Sequence, residues 1–146
     1  MKARDVMTSD PECVTPDSSL QQAARLMRDG GFGAVPVVRD TTSLEVIGII
    51  TDRDITIRHV AEGHTSSCAV RDHMTSDIQL VRPEDDLADV EDLMADEQIR
   101  RVPVVDENDS LVGMIAQADV ARRADSDEVG KTLKDISRRG GNHTTD

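Results

Sequence analysis

A hydroxyl and a carboxylate stand three positions apart where an apolar run, Gly48-Ile49-Ile50, passes into Thr51-Asp52-Arg53-Asp54. If the run is a strand and the following residues open a helix, Thr51 occupies the N-cap. Its hydroxyl then lies beside free backbone N–H groups that can receive phosphate oxygens. Asp54, one turn later, can accept two hydroxyl donors from a ribose. The same Thr-x-x-Asp spacing is also a capping box, worth about 0.5–2 kcal/mol to the helix with no ligand at all. A related segment, Gly113-Met114-Ile115-Ala116-Gln117-Ala118-Asp119, keeps the carboxylate as Asp119 but has lost the cap, since Ala116 has no hydroxyl. Asp119 has a second use as a ligand contact, or it serves the helix dipole by roughly 0.3–1 kcal/mol.

Arg100 and Arg101 precede the run Val102-Pro103-Val104-Val105. Strand alternation sends neighbouring side chains in opposite directions. A guanidinium facing a cleft would supply charge-assisted, bidentate contacts to an anion. The alternative is a pair of exposed edge charges that discourage strand association. Gly33 and Ala34 hold the matching register earlier in the chain. They offer no cation and leave room for a flat ring or a close backbone approach. Cys13 and Cys68 are too few for a disulfide scaffold, and His59, His64, His73 and His143 are not spaced as ligands with them, so no metal site is expected. Cys13 reads as a small buried apolar residue and Cys68 as a linker residue, a redox pair only if the linker folds back on the first strand. No nucleophile, base and orienting group can be placed together, so no catalytic residues are expected.

The elements that must position these groups come as a duplication. Residues 5 to 40 return as 72 to 107 at a constant offset, with fifteen identities that include Asp5, Met7, Thr8, Ser9, Asp10 and the run Val35-Pro36-Val37-Val38. Each unit reads as helix, two short strands, helix. In the first, Ser18 with Gln21 resembles a capping box, and Leu20, Ala23, Ala24 and Met27 share a helical face that stops at Gly30-Gly31. Ala34 to Val38 and Leu44 to Ile50 are β-branched runs, and a second helix is expected from about Asp52 to Val60. Pro36 lacks a donor, so its strand belongs at an edge or meets the sheet irregularly. In the second unit, Leu87, Val90, Leu93 and Met94 mark the helix, Arg101 to Val105 and Leu111 to Ile115 the strands, and Gln117 to Ala124 the closing helix. The expected boundaries are 1–62 for the first repeat, 63–71 for a polar linker, 72–124 for the second repeat and 125–146 for a partly disordered extension, within which 128–137 has helical character. One unit alone buries too little surface to be stable, so the two repeats should share one folding body.

Composition restricts the function. The 29 acidic residues against 17 basic ones leave a formal charge of −12. That charge repels nucleic acid and anionic membranes, and with Phe32 the sole aromatic side chain among Phe, Tyr and Trp, stacking of exposed bases is not available as a working surface. The N-terminal residues lack the apolar stretch of a signal peptide and no run approaches 18 apolar residues, so a cytoplasmic protein is expected.

The order of these motifs, a DVMT-type opening at Asp5 to Thr8, Val35 to Val38 and Gly48 to Asp54, then Asp72 to Thr75, Val102 to Val105 and Gly113 to Asp119, resembles a tandem cystathionine-β-synthase-type (CBS) domain protein, a CBS pair or Bateman module. The resemblance covers about residues 1 to 124. It implies an α/β fold in which two duplicated CBS units pack as a pseudo-twofold pair with two clefts, and a module that pairs into a homodimer. It also implies a non-enzymatic sensor of adenosine-containing ligands such as AMP, ADP, ATP or S-adenosylmethionine, regulating a protein partner not identified by the sequence. On that resemblance Thr51 is the phosphate-facing hydroxyl, Asp54 and Asp119 are ribose carboxylates, Arg100 or Arg101 is the basic residue, and Val14 and Thr15 with Ala34 and Val35 edge an adenine pocket. The first motif has Thr without the nearby Arg, and the second has Arg without Thr. That complementary loss supports the alternative, a homodimeric interaction or stress-related scaffold without nucleotide binding.

Overall fold

The computed structural model describes residues 1–64 and 68–122. The expected helix at 128–137 and the extension around it lie outside them. In chain order the elements are α1 (Ala3–Val6), β1 (Thr8–Ser9), α2 (Leu20–Gly30), β2 (Ala34–Val38), β3 (Val46–Thr51), α3 (Asp52–Asp54), a π-helical segment Ile55–Val60, a 3-10 turn Val70–Asp72, α4 (Leu87–Glu97), β4 (Arg101–Val105) and β5 (Leu111–Ala116). Residues 117–122 are helical. Among the described residues no helix is long and apolar enough to cross a membrane.

The two halves repeat in detail. β2 and β3 form an antiparallel pair with Ala34 opposite Thr51, and β4 and β5 form another with Arg101 opposite Ala116. Their registers slip at matching places, between Val37 and Val38 and between Val104 and Val105. Pro36 therefore does not itself disrupt the pairing. Its missing donor faces away from β3, on an edge touched by the isolated bridge from Val14 to Val37.

The helices follow their sequence signals with two departures. The N-cap of α2 is Ser19, not Ser18, and it exchanges hydrogen bonds with Gln22 rather than Gln21. Ser18 is occupied elsewhere: its carbonyl accepts from the Val70 N–H and its hydroxyl from the Thr15 N–H. Gly31 ends α2 with a φ of 73°, a left-handed conformation that glycine adopts without a Cβ clash. The helix expected from Asp52 to Val60 is continuous but not uniformly α, since its last six residues wind as a π-helix.

The opening segment of each repeat is built into the other repeat. Ala3 is completely buried among Val81, Leu87, Val90 and Val104 of the second half. Val70, its counterpart, is completely buried among Leu20, Val35 and Ile50 of the first. The Met1 carbonyl accepts from the N–H of Leu87, the first residue of α4, and the Cys68 carbonyl accepts from the N–H of Leu20, the first residue of α2. β1 pairs with β5 through Thr8 and Met114, and Thr75 pairs with Ile49 in the corresponding way. A third cluster, Val38, Val46, Val105 and Leu111, joins the two hairpins. Each fully buried Val or Leu contributes about 1.5–3 kcal/mol of apolar burial, which is how a chain with a single Phe closes its core.

The crossing is tight at Gly48, where a Cβ would come within 2.8 Å of the Thr75 carbonyl oxygen. At Gly113 the first atom met is the flexible sulfur of Met7, with the Thr8 carbonyl at 3.1 Å. Gly48→Ala is therefore expected to destabilise the protein by about 1–3 kcal/mol, and by more than Gly113→Ala, in chemical denaturation.

Candidate functional sites: a polar cleft and a histidine and cysteine cluster

The strand β3 ends at Thr51 because the next residues turn into α3, and that junction carries a complete capping box. Thr51 Oγ1 accepts from the Asp54 N–H at 3.1 Å, and Asp54 Oδ2 accepts from the Thr51 N–H at 3.1 Å. Asp54 is 9% exposed. Its other oxygen lies 3.9 Å from Arg58 Nε, one turn along. The cap thus uses one carboxylate oxygen and leaves the second available.

Thr51, Asp54 and Ala34 from the first repeat line a cavity of about 660 Å³ together with Arg100 and Arg101 from the second. Both arginines line it, although alternation separated them, because Arg100 precedes β4 and is not bound by the strand's period. Among the described residues neither forms an ion pair. Arg53, Asp52, Asp77 and Glu97 also line the cavity, so its charge is mixed. The room expected at Gly33 is filled by the Asp52 carboxylate, whose Oδ2 would lie 2.8 Å from an added Cβ.

Val14, Thr15, Val35 and Asp119 are not among the residues lining this cavity. Val14 and Val35 are core side chains packed with Leu20 and Ile50, and the Thr15 hydroxyl faces that of Ser18 at 3.4 Å. Asp119 pairs with Arg122.

The second site was not read from the sequence. Among the described residues the buried polar or charged ones are Asp54, His59 and His73. Burial of such groups is costly unless they are partnered, and Asp54 has its cap. His59 lies on the π-helical segment, 3% exposed, and its Nδ1 has no hydrogen-bond partner. The chain then curls back through Gly63, φ 79°, and the His64 N–H donates to the His59 carbonyl at 3.1 Å. That return sets the His64 ring 5.7 Å from the His59 ring. His73, 6% exposed, follows the 3-10 turn that docks on the first repeat, and its ring lies 5.1 Å from that of His59.

Ligand atoms of His59, His64, Cys68 and His73 all lie within 4.8 Å of one another, with His64 Nδ1 and His73 Nε2 3.4 Å apart. A tetrahedral ion with bonds of about 2.0–2.1 Å to nitrogen holds its donors about 3.3–3.4 Å apart, so one edge of such a site is already formed. Burial, and then the neighbouring His59 and His64, push the His73 pKa below its ordinary value, which favours the neutral imidazole, the form that ligates a metal. The expectation that these histidines and cysteines do not combine is therefore corrected. Their intervals match no compact metal motif, and the cluster forms only because the second repeat opens against the first. The available signal was density: three of four histidines and one of two cysteines fall between 59 and 73. His143 lies outside the described residues.

A family model of the CBS domain matches residues 3–59 and 70–126. The chain is 38% identical over 135 residues to the CBS domain-containing protein YhcV of Bacillus subtilis (strain 168), covering 92% of this chain and 94% of that one. Among solved structures it is similar to Hypoxic Response Protein I with two coordinated zinc ions, at TM-score 0.75 and 32% identity over 84% of this chain and 98% of that one. It is also similar to CBSX2 in complex with AMP, at TM-score 0.74 and 25% identity over 87% of this chain and 98% of that one.

The lowered pKa of His73 has a consequence for stability. Below the ordinary value the unfolded chain binds a proton that the folded chain resists, so the metal-free protein is expected to lose stability as pH falls below about 6.5 and to keep this contribution in full above it. Thermal melts of chelator-treated protein between about pH 5 and 8 should show that fall, and it should flatten in His73→Gln.

Proposed function

The chain belongs to the CBS domain family, its two repeats forming one CBS pair, and from that premise we propose that it works as a metal-pinned scaffold of the stress-related kind. As a CBS pair it is a regulatory, non-catalytic module. The observation that carries the proposal is the convergence of His59, His64, Cys68 and His73 within 4.8 Å. Three imidazoles and one thiolate suit zinc, and four protein ligands leave no open position for a substrate, as in structural rather than catalytic sites. The unpartnered Nδ1 of buried His59 fits a site that needs a further group. The similarity to Hypoxic Response Protein I, solved with two zinc ions, points the same way. Homodimerisation and a regulated protein partner belong to this reading, and Ile57 and Val60, exposed apolar side chains on the π-helical segment, offer surface for such contacts.

A second reading is favoured by a separate observation. Thr51 and Asp54 come from one repeat and Arg100 and Arg101 from the other, yet all four line one cavity. That combination suits an adenosine-containing ligand, with the carboxylate at ribose hydroxyls and a guanidinium at an anionic group. Four lining carboxylates against three guanidiniums weigh against the highly charged ATP and ADP and favour AMP or the cationic S-adenosylmethionine. CBSX2, solved with AMP, supports this reading by similarity.

Two measurements separate these readings. Elemental analysis of chelator-dialysed, zinc-reloaded protein is expected to give one zinc per chain, lost in Cys68→Ser, and cobalt in its place should show a thiolate charge-transfer band absent from that variant. Wild type that retains no metal would refute the scaffold as proposed. Calorimetric titration with AMP and S-adenosylmethionine is the second, where saturable binding whose affinity falls about tenfold or more in Asp54→Ala supports the adenosyl ligand and an affinity unchanged by that substitution excludes the ribose contact.

A further inference from the structure

The metal cluster and the cleft are not independent features, because two of the four donors are attached to two of the cleft's walls. His59 is five residues beyond Asp54 on the uninterrupted helical run 52–60. Its end is held by the Ala61 N–H on the Thr56 carbonyl at 2.9 Å and the His64 N–H on the His59 carbonyl at 3.1 Å. His73 is two residues before Thr75, which lines the cleft and exchanges two backbone hydrogen bonds with Ile49, each at 2.9 Å. Asp77, farther along the same segment, lines the cleft as well.

Resting on the metal reading above, we infer that a metal at His59, His64, Cys68 and His73 sets the spacing between the Asp54 wall and the Thr75 wall, so that metal occupancy and cleft occupancy are thermodynamically linked. The physical step is a contraction. The four donors lie within 4.8 Å of one another, and the closest hydrogen-bonded pair is at 3.4 Å. Zinc bonds of about 2.0–2.3 Å draw all of them to about 3.3–3.7 Å, a movement on the order of 1 Å. The crossing of β3 and the Thr75 segment resists that movement, because two backbone hydrogen bonds between Ile49 and Thr75, each at 2.9 Å, hold it where the backbones approach closely at Gly48. It passes to the helical run, whose π-helical hydrogen bonding departs from the regular α ladder. Such turns are rare and are frequently found at functional sites. The coupling is reciprocal: a cleft ligand that prefers the contracted spacing raises metal affinity by the same factor that metal raises its own.

Hydrogen exchange of the full-length chain, metal-free and with one equivalent of zinc, reads this without needing the cleft ligand, with native mass spectrometry reporting occupancy on the same samples. Amides of residues 49–54, which include the Ile49 bond to Thr75 and both Thr51–Asp54 cap bonds, and those of 73–79 are expected to slow about tenfold or more on zinc binding. His64→Ala, altered at a donor on neither wall, should lose the effect while staying folded. Zinc bound at one per chain, with slowing confined to 59–64 and 68–73 and none at 49–54, overturns the coupling while leaving the metal site standing. No zinc in the native spectrum overturns both, a different result. Addition of AMP to the zinc-loaded protein extends the test. Tighter zinc retention against a competing chelator supports the linkage, and unchanged retention with AMP bound at the cleft counts against it.

Discussion

The fold depends on an exchange: each repeat completes its partner's core and lends it a backbone pairing. Ala3 and Val70 fill equivalent holes in opposite halves. The Thr8–Met114 and Thr75–Ile49 pairs extend the hairpins in matching places. Neither half could satisfy the first N–H of its own helix as it does now, since Leu20 donates to Cys68 and Leu87 to Met1. A unit of about 60 residues is marginal alone, and reciprocal insertion turns two marginal cores into one.

Both candidate sites are products of that exchange. The cleft joins Thr51 and Asp54 of one repeat to Arg100 and Arg101 of the other, across segments that the crossing brings face to face. Read along the chain, the loss of a cation in one motif and of a hydroxyl in the other looked like two defective sites. In three dimensions the retained halves meet in one cavity. The histidine and cysteine cluster arises in the same way, because the turn Val70–Asp72 that seats Val70 in the first core also carries His73 to His59.

Burial ranks the polar groups. Asp54, His59 and His73 are the buried polar or charged residues among those described, and all three belong to one site or the other. Asp54 is satisfied by its cap. His59 keeps an unpartnered ring nitrogen, while His73 packs its ring 5.1 Å from that of His59 and sets its Nε2 3.4 Å from His64 Nδ1, and burial followed by these neighbouring imidazoles lowers its pKa. A buried imidazole without a full set of partners is poorly used as structure and well suited as a ligand.

The duplication, the α/β order and the helix caps were legible in the sequence because they rest on local forces: apolar periodicity, the φ freedom of Gly31, and hydroxyl side chains at helix starts. Even these left the N-cap one residue out at Ser19, since a tertiary hydrogen bond from Val70 held Ser18 outside the helix. Thr51 and Asp54 were legible for the same local reason. What the tertiary structure alone decided was which pieces meet. The meeting of Arg100 and Arg101 with Asp54 in one cavity, and the gathering of His59, His64, Cys68 and His73, follow from the packing of one repeat on the other, while Val14 and Val35 are drawn into the core with Leu20 and Ile50. That packing is set by burial of apolar surface between segments distant in the chain, and local sequence spacing carries no record of it.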